Sequence, residues 1–167
     1  VPNTLILGCG VPLSSAFGVV DYCRIGPDVS LIFDDVWFMK FMHRERISTK
    51  ITLQNTINRY YINGLGFNND PDVYIMRKEN VKLNELQKEA LIIINYIFGS
   101  IYMTSDNIAN YDASKKELIQ KYQEFKQHKV INITYDKKYI KFVTEFNKNR
   151  YNFSYDTKTG ELTYGKI

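Results

Sequence analysis

The sequence predicts an α/β fold: βα units over residues 4–128, then an antiparallel β module over residues 129–167. Two observations carry this. Short apolar runs alternate with stretches of helical periodicity as far as about residue 128. Beyond it, apolar and polar residues alternate with period two in Val130–Tyr135, Tyr139–Phe146 and Tyr151–Tyr155, and Asp156-Thr157-Lys158-Thr159-Gly160 reads as a hairpin turn. The module therefore holds three or four strands.

The elements follow in order. Residues 4–9, an apolar run ended by glycine, read as a short buried strand, and Val19 to Ile25 as a second with Arg24 near its C-terminal end. Residues 29–47 mix apolar and charged side chains and read as a long loop with some helix. Trp37 and its aromatic neighbours there suit core packing, or an aromatic wall on which a ligand ring stacks. Ser48 is placed to cap a helix through about Asn63, with Leu53, Ile57 and Tyr60 on one face and Gly64 as its stop. Phe67 to Asp72 is turn-rich, and Val73 to Met76 is a short extended run. Asn84 with Gln87 three residues on forms a capping box for a helix to about Phe98, which is apolar on several sides and so deeply buried. Ser100 to Met103 is another short strand, ended by Ser105-Asp106. Asp112 caps a third helix to about Gln127, with Leu118, Ile119, Tyr122 and Phe125 inward.

The 167 residues allow one sizeable core, and the net charge of +4 is mild, with lysines scattered along the chain. Lysines and tyrosines interleaved near the C-terminus read as a solvated sheet face, and no nucleic-acid motif accompanies them. Two cysteines make no disulfide framework, and two histidines far apart make no metal site. The longest apolar stretch, Ala90 to Met103, is too short to span a bilayer. The sequence reads as a soluble piece of a longer protein, with no cofactor, no nucleic-acid partner and no membrane partner.

Polar residues gather at the C-terminal ends of the strands: Cys9, Arg24 with Asp28, Asp70 with Asp72, and Asp106. In a (β/α)8 barrel that rim is where sites form. A full barrel needs about 250 residues, so residues 1–128 have room only for the second half of a TIM (β/α)8 barrel. Half a barrel has open edges, so its partner is expected to be the missing N-terminal half or a second copy of the chain.

The most informative stretch is Gly8-Cys9-Gly10-Val11-Pro12-Leu13 followed by Asp21-Tyr22-Cys23-Arg24-Ile25-Gly26-Pro27-Asp28. Proline restricts itself and the residue before it, so Asp28 is presented by a defined turn. An isolated Arg-x-x-x-Asp is usually a surface ion pair. A carboxylate on such a turn at a strand end is also a device for general acid/base chemistry.

With Asn69-Asp70-Pro71-Asp72-Val73 and Ser105-Asp106, this stretch resembles the catalytic barrel of melibiase-type α-galactosidases, glycoside hydrolase family 36, over about residues 4–125. The resemblance implies a retaining enzyme that removes terminal α-linked galactose without a cofactor, in a bacterial cytoplasmic setting. It makes Asp28 the acid/base and Arg24 an arginine that binds the sugar beside it. It also gives Cys9, with Gly10, a place lining the galactose pocket; a buried strand cysteine is the other reading of Cys9, and tight packing the other reading of Gly8 and Gly10. Asp72 matches a rim carboxylate that supports the arginine or the sugar, while Asp70 suits capping of the turn, and Ser105-Asp106 stays unassigned. The family's nucleophile, an aspartate reached through Lys-x-Asp on the fourth strand, has no counterpart here, so the chain is expected to carry the acid without the nucleophile. The competing readings are a related retaining α-glycosidase, such as one acting on α-N-acetylgalactosamine, and a non-catalytic module in which residues 129–167 contact carbohydrate or another subunit.

Overall fold

The computed structural model describes residues 4–34 and 47–167. Trp37 and its neighbours lie outside the described residues. The parallel strands are short: β1 (Leu7–Gly8), β2 (Tyr22–Arg24) and β3 (Asn68–Asp70) form one sheet in the order β1-β2-β3, and β4 (Val73–Tyr74) and β5 (Met103–Thr104) form another. Only Pro71-Asp72 separates β3 from β4, so the same segment pairs first with β2 and then with β5. Between β1 and β2 the crossover holds a single helical turn, α1 (Leu13–Ala16); α2 (Thr49–Asn58) lies between β2 and β3, and α3 (Glu85–Phe98) between β4 and β5.

The caps stand where the sequence places them. Ser48 Oγ accepts the N–H of Ile51, and Asp112 caps α4 (Ala113–Gln123) by accepting that of Lys115. Asn84 and Gln87 form both bonds of the capping box. The third helix keeps α geometry only to Gln123 and then tightens to a 3-10 turn through Gln127, with Tyr122 and Phe125 buried but Leu118 exposed.

α3 is the centre of the molecule. Ala90 through Phe98 are all buried, and it packs against α2, α4 and the C-terminal strands. β6 (Lys129–Tyr135), β7 (Tyr139–Phe146), β8 (Asn149–Asp156) and β9 (Leu162–Lys166) form an antiparallel meander, as the alternation predicts. Its inner face presents Phe142 and Phe153, whose rings stack at 4.7 Å, and Phe98 of α3 meets Phe142 edge-on at 4.9 Å. Residues on both sides of position 128 thus share one core cluster. Gly160 in the β8–β9 turn has φ +80°, which favours glycine, and a Cβ there would run into the Phe33 ring.

The first strand departs from expectation. Residues 4–9 were expected to be buried, yet Leu5 is 70% exposed and Ile6 and Leu7 are also exposed. Among the described residues β1 pairs only with β2, so its outer edge and much of its apolar surface have no cover. Val19, 69% exposed, lies outside β2, in the turn that follows α1, where its N–H donates to the Ala16 carbonyl.

His128 sits among Phe125, Phe146, Tyr151 and Phe153, with Nδ1 2.7 Å from Thr144 Oγ1. Burial holds its pKa below the usual 6.5, against the opposing pull of Glu124. In the window below about 6.5 the unfolded chain takes up a proton that the folded chain refuses, so stability falls as pH drops through that window. The denaturation midpoint is expected to fall between pH 7 and 5 by more in the parent than in His128→Gln, which keeps a partner for Thr144; equal falls would contradict this.

Candidate functional site

Register decides which polar side chains meet. β2 and β3 pair with Arg24 opposite Asp70, and Arg24 Nε donates to Asp70 Oδ2 at 2.7 Å. The Nη1 of the same guanidinium is 2.9 Å from Asp28 Oδ1 and 2.9 Å from Asp72 Oδ1. One cation therefore joins the carboxylates of two neighbouring strand ends. The carboxylates differ in setting: the side chains of Asp70 and Asp72 are buried, whereas that of Asp28 is 68% exposed.

Asp70 uses both oxygens, since Oδ1 accepts the N–H of Asp72 at 2.8 Å. It caps the turn, as the sequence suggests, and is also the buried anchor of Arg24, which sequence reasoning did not assign. The available signal was register, because pairing Tyr22 with Asn68 necessarily sets Arg24 against Asp70. Asp72 lies in the left-handed region with φ 73°. That conformation costs an L-residue about 1–2 kcal/mol, though aspartate adopts it more readily than most. Its Oδ2 accepts the Val29 N–H at 2.6 Å. Burial pushes the Asp72 carboxyl above the ordinary range, outweighing the Val29 N–H and the Arg24 charge that pull it down. For Arg24 burial opposes the charge, but the bond and charge of Asp70 and the charge of Asp72 hold its pKa above the usual value.

The turn carrying Asp28 is clamped from two sides. Thr52 Oγ1 of α2 donates to the Pro27 carbonyl at 2.8 Å, and Asp72 holds the N–H of Val29. The backbone is fixed while the Asp28 carboxylate stays open to solvent. Beside it is a cleft of 360 Å³ lined by Cys9, Gly10, Arg24, Pro27 and Asp28 among others. Cys9 is exposed, so the buried-cysteine reading fits Cys23 and not Cys9. Gly10 has φ +68° and a Cβ there would meet nothing within 4 Å, so its backbone conformation, and not tight packing, accounts for glycine. Asp72 does not line this cleft; it reaches it through Arg24.

Asp106 stands apart, spent on structure. It accepts from the N–H groups of Met76 and Arg77 at 2.6 and 2.9 Å, from Tyr111 Oη at 2.7 Å, and pairs with Arg77 Nη1 at 2.8 Å. Burial opposes its ionisation, but Tyr111, Met76 and Arg77 together hold its pKa below the carboxylate norm. Among the described residues no group of three or more His, Cys, Asp or Glu is arranged to hold a metal ion.

No protein-family model matches the chain. Solved structures share its fold. The α-galactosidase from Thermus thermophilus, solved with p-nitrophenyl α-D-galactopyranoside, superposes with a TM-score of 0.66 at 18% identity, over 89% of this chain and 29% of its own. α-Galactosidase I from Mortierella vinacea gives 0.60 at 13% identity, over 83% of this chain and 38% of that one. The α-galactosidase from Saccharomyces cerevisiae gives 0.58 at 13%, over 83% and 36%. The chain thus spans well under half the length of each of these α-galactosidases.

Replacing Asp70 with Asn presents an amide N–H₂ to either the Arg24 Nε–H or the Asp72 N–H, and leaves Arg24 without its most buried counter-ion. Breaking a buried pair typically costs about 3–5 kcal/mol. Asp70→Asn is therefore expected to lose about 3 kcal/mol in chemical denaturation, whereas Asp28→Asn, at the exposed end of the cluster, should lose under about 1 kcal/mol. Equal losses would contradict the ranking of the carboxylates.

Proposed function

We propose that this chain is the C-terminal part of a retaining α-galactosidase of the melibiase type, with Asp28 as its acid/base carboxylate. On this reading residues 1–128 are the second half of a (β/α)8 barrel and residues 129–167 its C-terminal β module. The observation that carries it is the Arg24-centred cluster at the C-terminal ends of adjacent parallel strands, beside a cleft that holds Cys9, Gly10 and Asp28. The shared fold with α-galactosidases supports the substrate class.

Each residue then has a defined task. A retaining glycosidase uses a nucleophile and an acid/base about 5–5.5 Å apart. Asp28, exposed on a rigid turn, gives its proton to the departing glycosidic oxygen as the C1–O bond breaks, and afterwards takes one from the water that releases the sugar. Arg24 orients Asp28 and contacts galactose, and Asp72 supports Arg24 from behind. Cys9 and Gly10 line the pocket. The nucleophile comes from the barrel's first half, which also covers the bare edge of β1 and the exposed Leu5, Ile6 and Leu7.

In the enzyme containing this segment, Asp28→Asn is expected to keep the fold and lower kcat/KM on galactosyl oligosaccharides by about 10²–10⁴-fold. The fall should be much smaller for p-nitrophenyl α-galactoside, whose leaving group needs little protonation. Full activity on oligosaccharides, or equal losses on both substrates, would remove Asp28 from this role. Residues 1–167 on their own, lacking a partner carboxylate, should show essentially no turnover of either substrate; efficient hydrolysis by the isolated segment would contradict the division of roles.

A further inference from the structure

A second, larger cleft of 610 Å³ adjoins the one at Asp28; both are walled by Gly10, Arg24, Gly26 and Pro27. Its far side is formed by residues spaced four apart, Ile51 and Asn55 of α2 and Arg59, the residue that ends that helix. Val11 and Leu13 supply an apolar wall, and among the described residues no acidic side chain lines it. The two arginines at this cleft differ sharply. Arg24 is neutralised by three carboxylates. Arg59 spends one guanidinium N–H on the Ile25 carbonyl and makes no ion pair among the described residues. A guanidinium has five donors, so among the described residues most of its capacity is unused, and the Asn55 amide donates no hydrogen bond there either.

From this we infer that the larger cleft binds an oxyanion: a carboxylate or phosphate carried by the group attached to the sugar, held by Arg59 and Asn55 against the apolar wall. A planar fork of donors in a partly buried cleft whose described lining holds no acidic residue matches such a group and gains little from a neutral one. The inference rests on the α-galactosidase reading only for the sugar that fills the smaller cleft. It makes the preferred substrate an α-galactoside with an acidic aglycone.

The test is calorimetric, in the enzyme containing this segment with its nucleophilic aspartate exchanged for asparagine, so that no glycosyl-enzyme forms and nothing turns over. Its probes are p-carboxyphenyl α-D-galactopyranoside, p-nitrophenyl α-D-galactopyranoside and 4-hydroxybenzoate. The carboxyphenyl galactoside is expected to bind about tenfold tighter than the nitrophenyl one. Arg59→Gln should erase that difference. Asn55→Asp should erase it too, because it places a carboxylate four residues before Arg59 and leaves the Arg59 bond to Ile25 intact. Equal affinities for the two galactosides in the protein with Arg59 and Asn55 unchanged, or a preference that survives both substitutions, would overturn the anion site. If neither galactoside binds, 4-hydroxybenzoate decides separately: binding lost in Arg59→Gln upholds the anion site and sinks the galactoside reading, and no such binding sinks both.

Discussion

Carboxylates repel one another, and two strand ends bring Asp28, Asp70 and Asp72 together only because the Arg24 guanidinium stands among them. Desolvating such a set is costly, and the attraction offsets it only when geometry is good and the remaining lone pairs are satisfied. Both conditions hold here. Asp70 and Asp72 each accept a backbone N–H as well as the guanidinium, so the backbone at the strand ends and the turn before Val29 are tied to the same cation. Asp28 alone of the three keeps a carboxylate open to solvent.

That arrangement needs a rigid support, and α2 and α3 provide it. α2 clamps the Asp28 turn through Thr52, and its apolar face, Leu53 and Ile57, belongs to the same core cluster as α3. α3 in turn packs on the aromatic face of the C-terminal sheet, so residues far along the sequence stiffen the rim. The tyrosines of that sheet do not form one exposed row: Tyr155 is fully buried and Tyr151 partly so, while Tyr135 and Tyr164 are exposed. A scaffold role suits the sheet better than a binding surface.

Helices, caps and the antiparallel meander were legible in the sequence because each rests on local chemistry. Ser48, Asn84 and Asp112 cap as their side chains dictate, and period-two alternation marks β6 to β8. Of the parallel strands, β1 and β2 were legible as apolar runs, whereas β3 corrects the reading of Phe67–Asp72 as a turn-rich segment, since its polar residues are held as a strand by pairing with β2. Their length, and the exposure of Leu5 to Leu7, depend on which neighbours are present, and a local pattern carries no information about that. At the site, Arg24, Asp28, Cys9 and Gly10 were visible as a motif and do share a cleft. The anchoring by Asp70 was not, because it arises from pairing between residues 46 positions apart. That Arg59 makes no ion pair among the described residues escaped notice for a similar reason: a missing counter-ion appears only once the chain is folded.

The central claim is that this Arg24-centred rim places Asp28 against a glycosidic bond. The most direct measurement is a crystal structure of the enzyme containing this segment with an intact α-galactoside bound to its Asp28→Asn form. The account places residue 28 within hydrogen-bonding reach, about 2.6–3.2 Å, of the glycosidic oxygen, with the galactose ring against Cys9, Gly10 and Arg24. A galactoside seated elsewhere, or one whose glycosidic oxygen lies beyond the reach of residue 28 while Arg24 still holds Asp70 and Asp72, would contradict it.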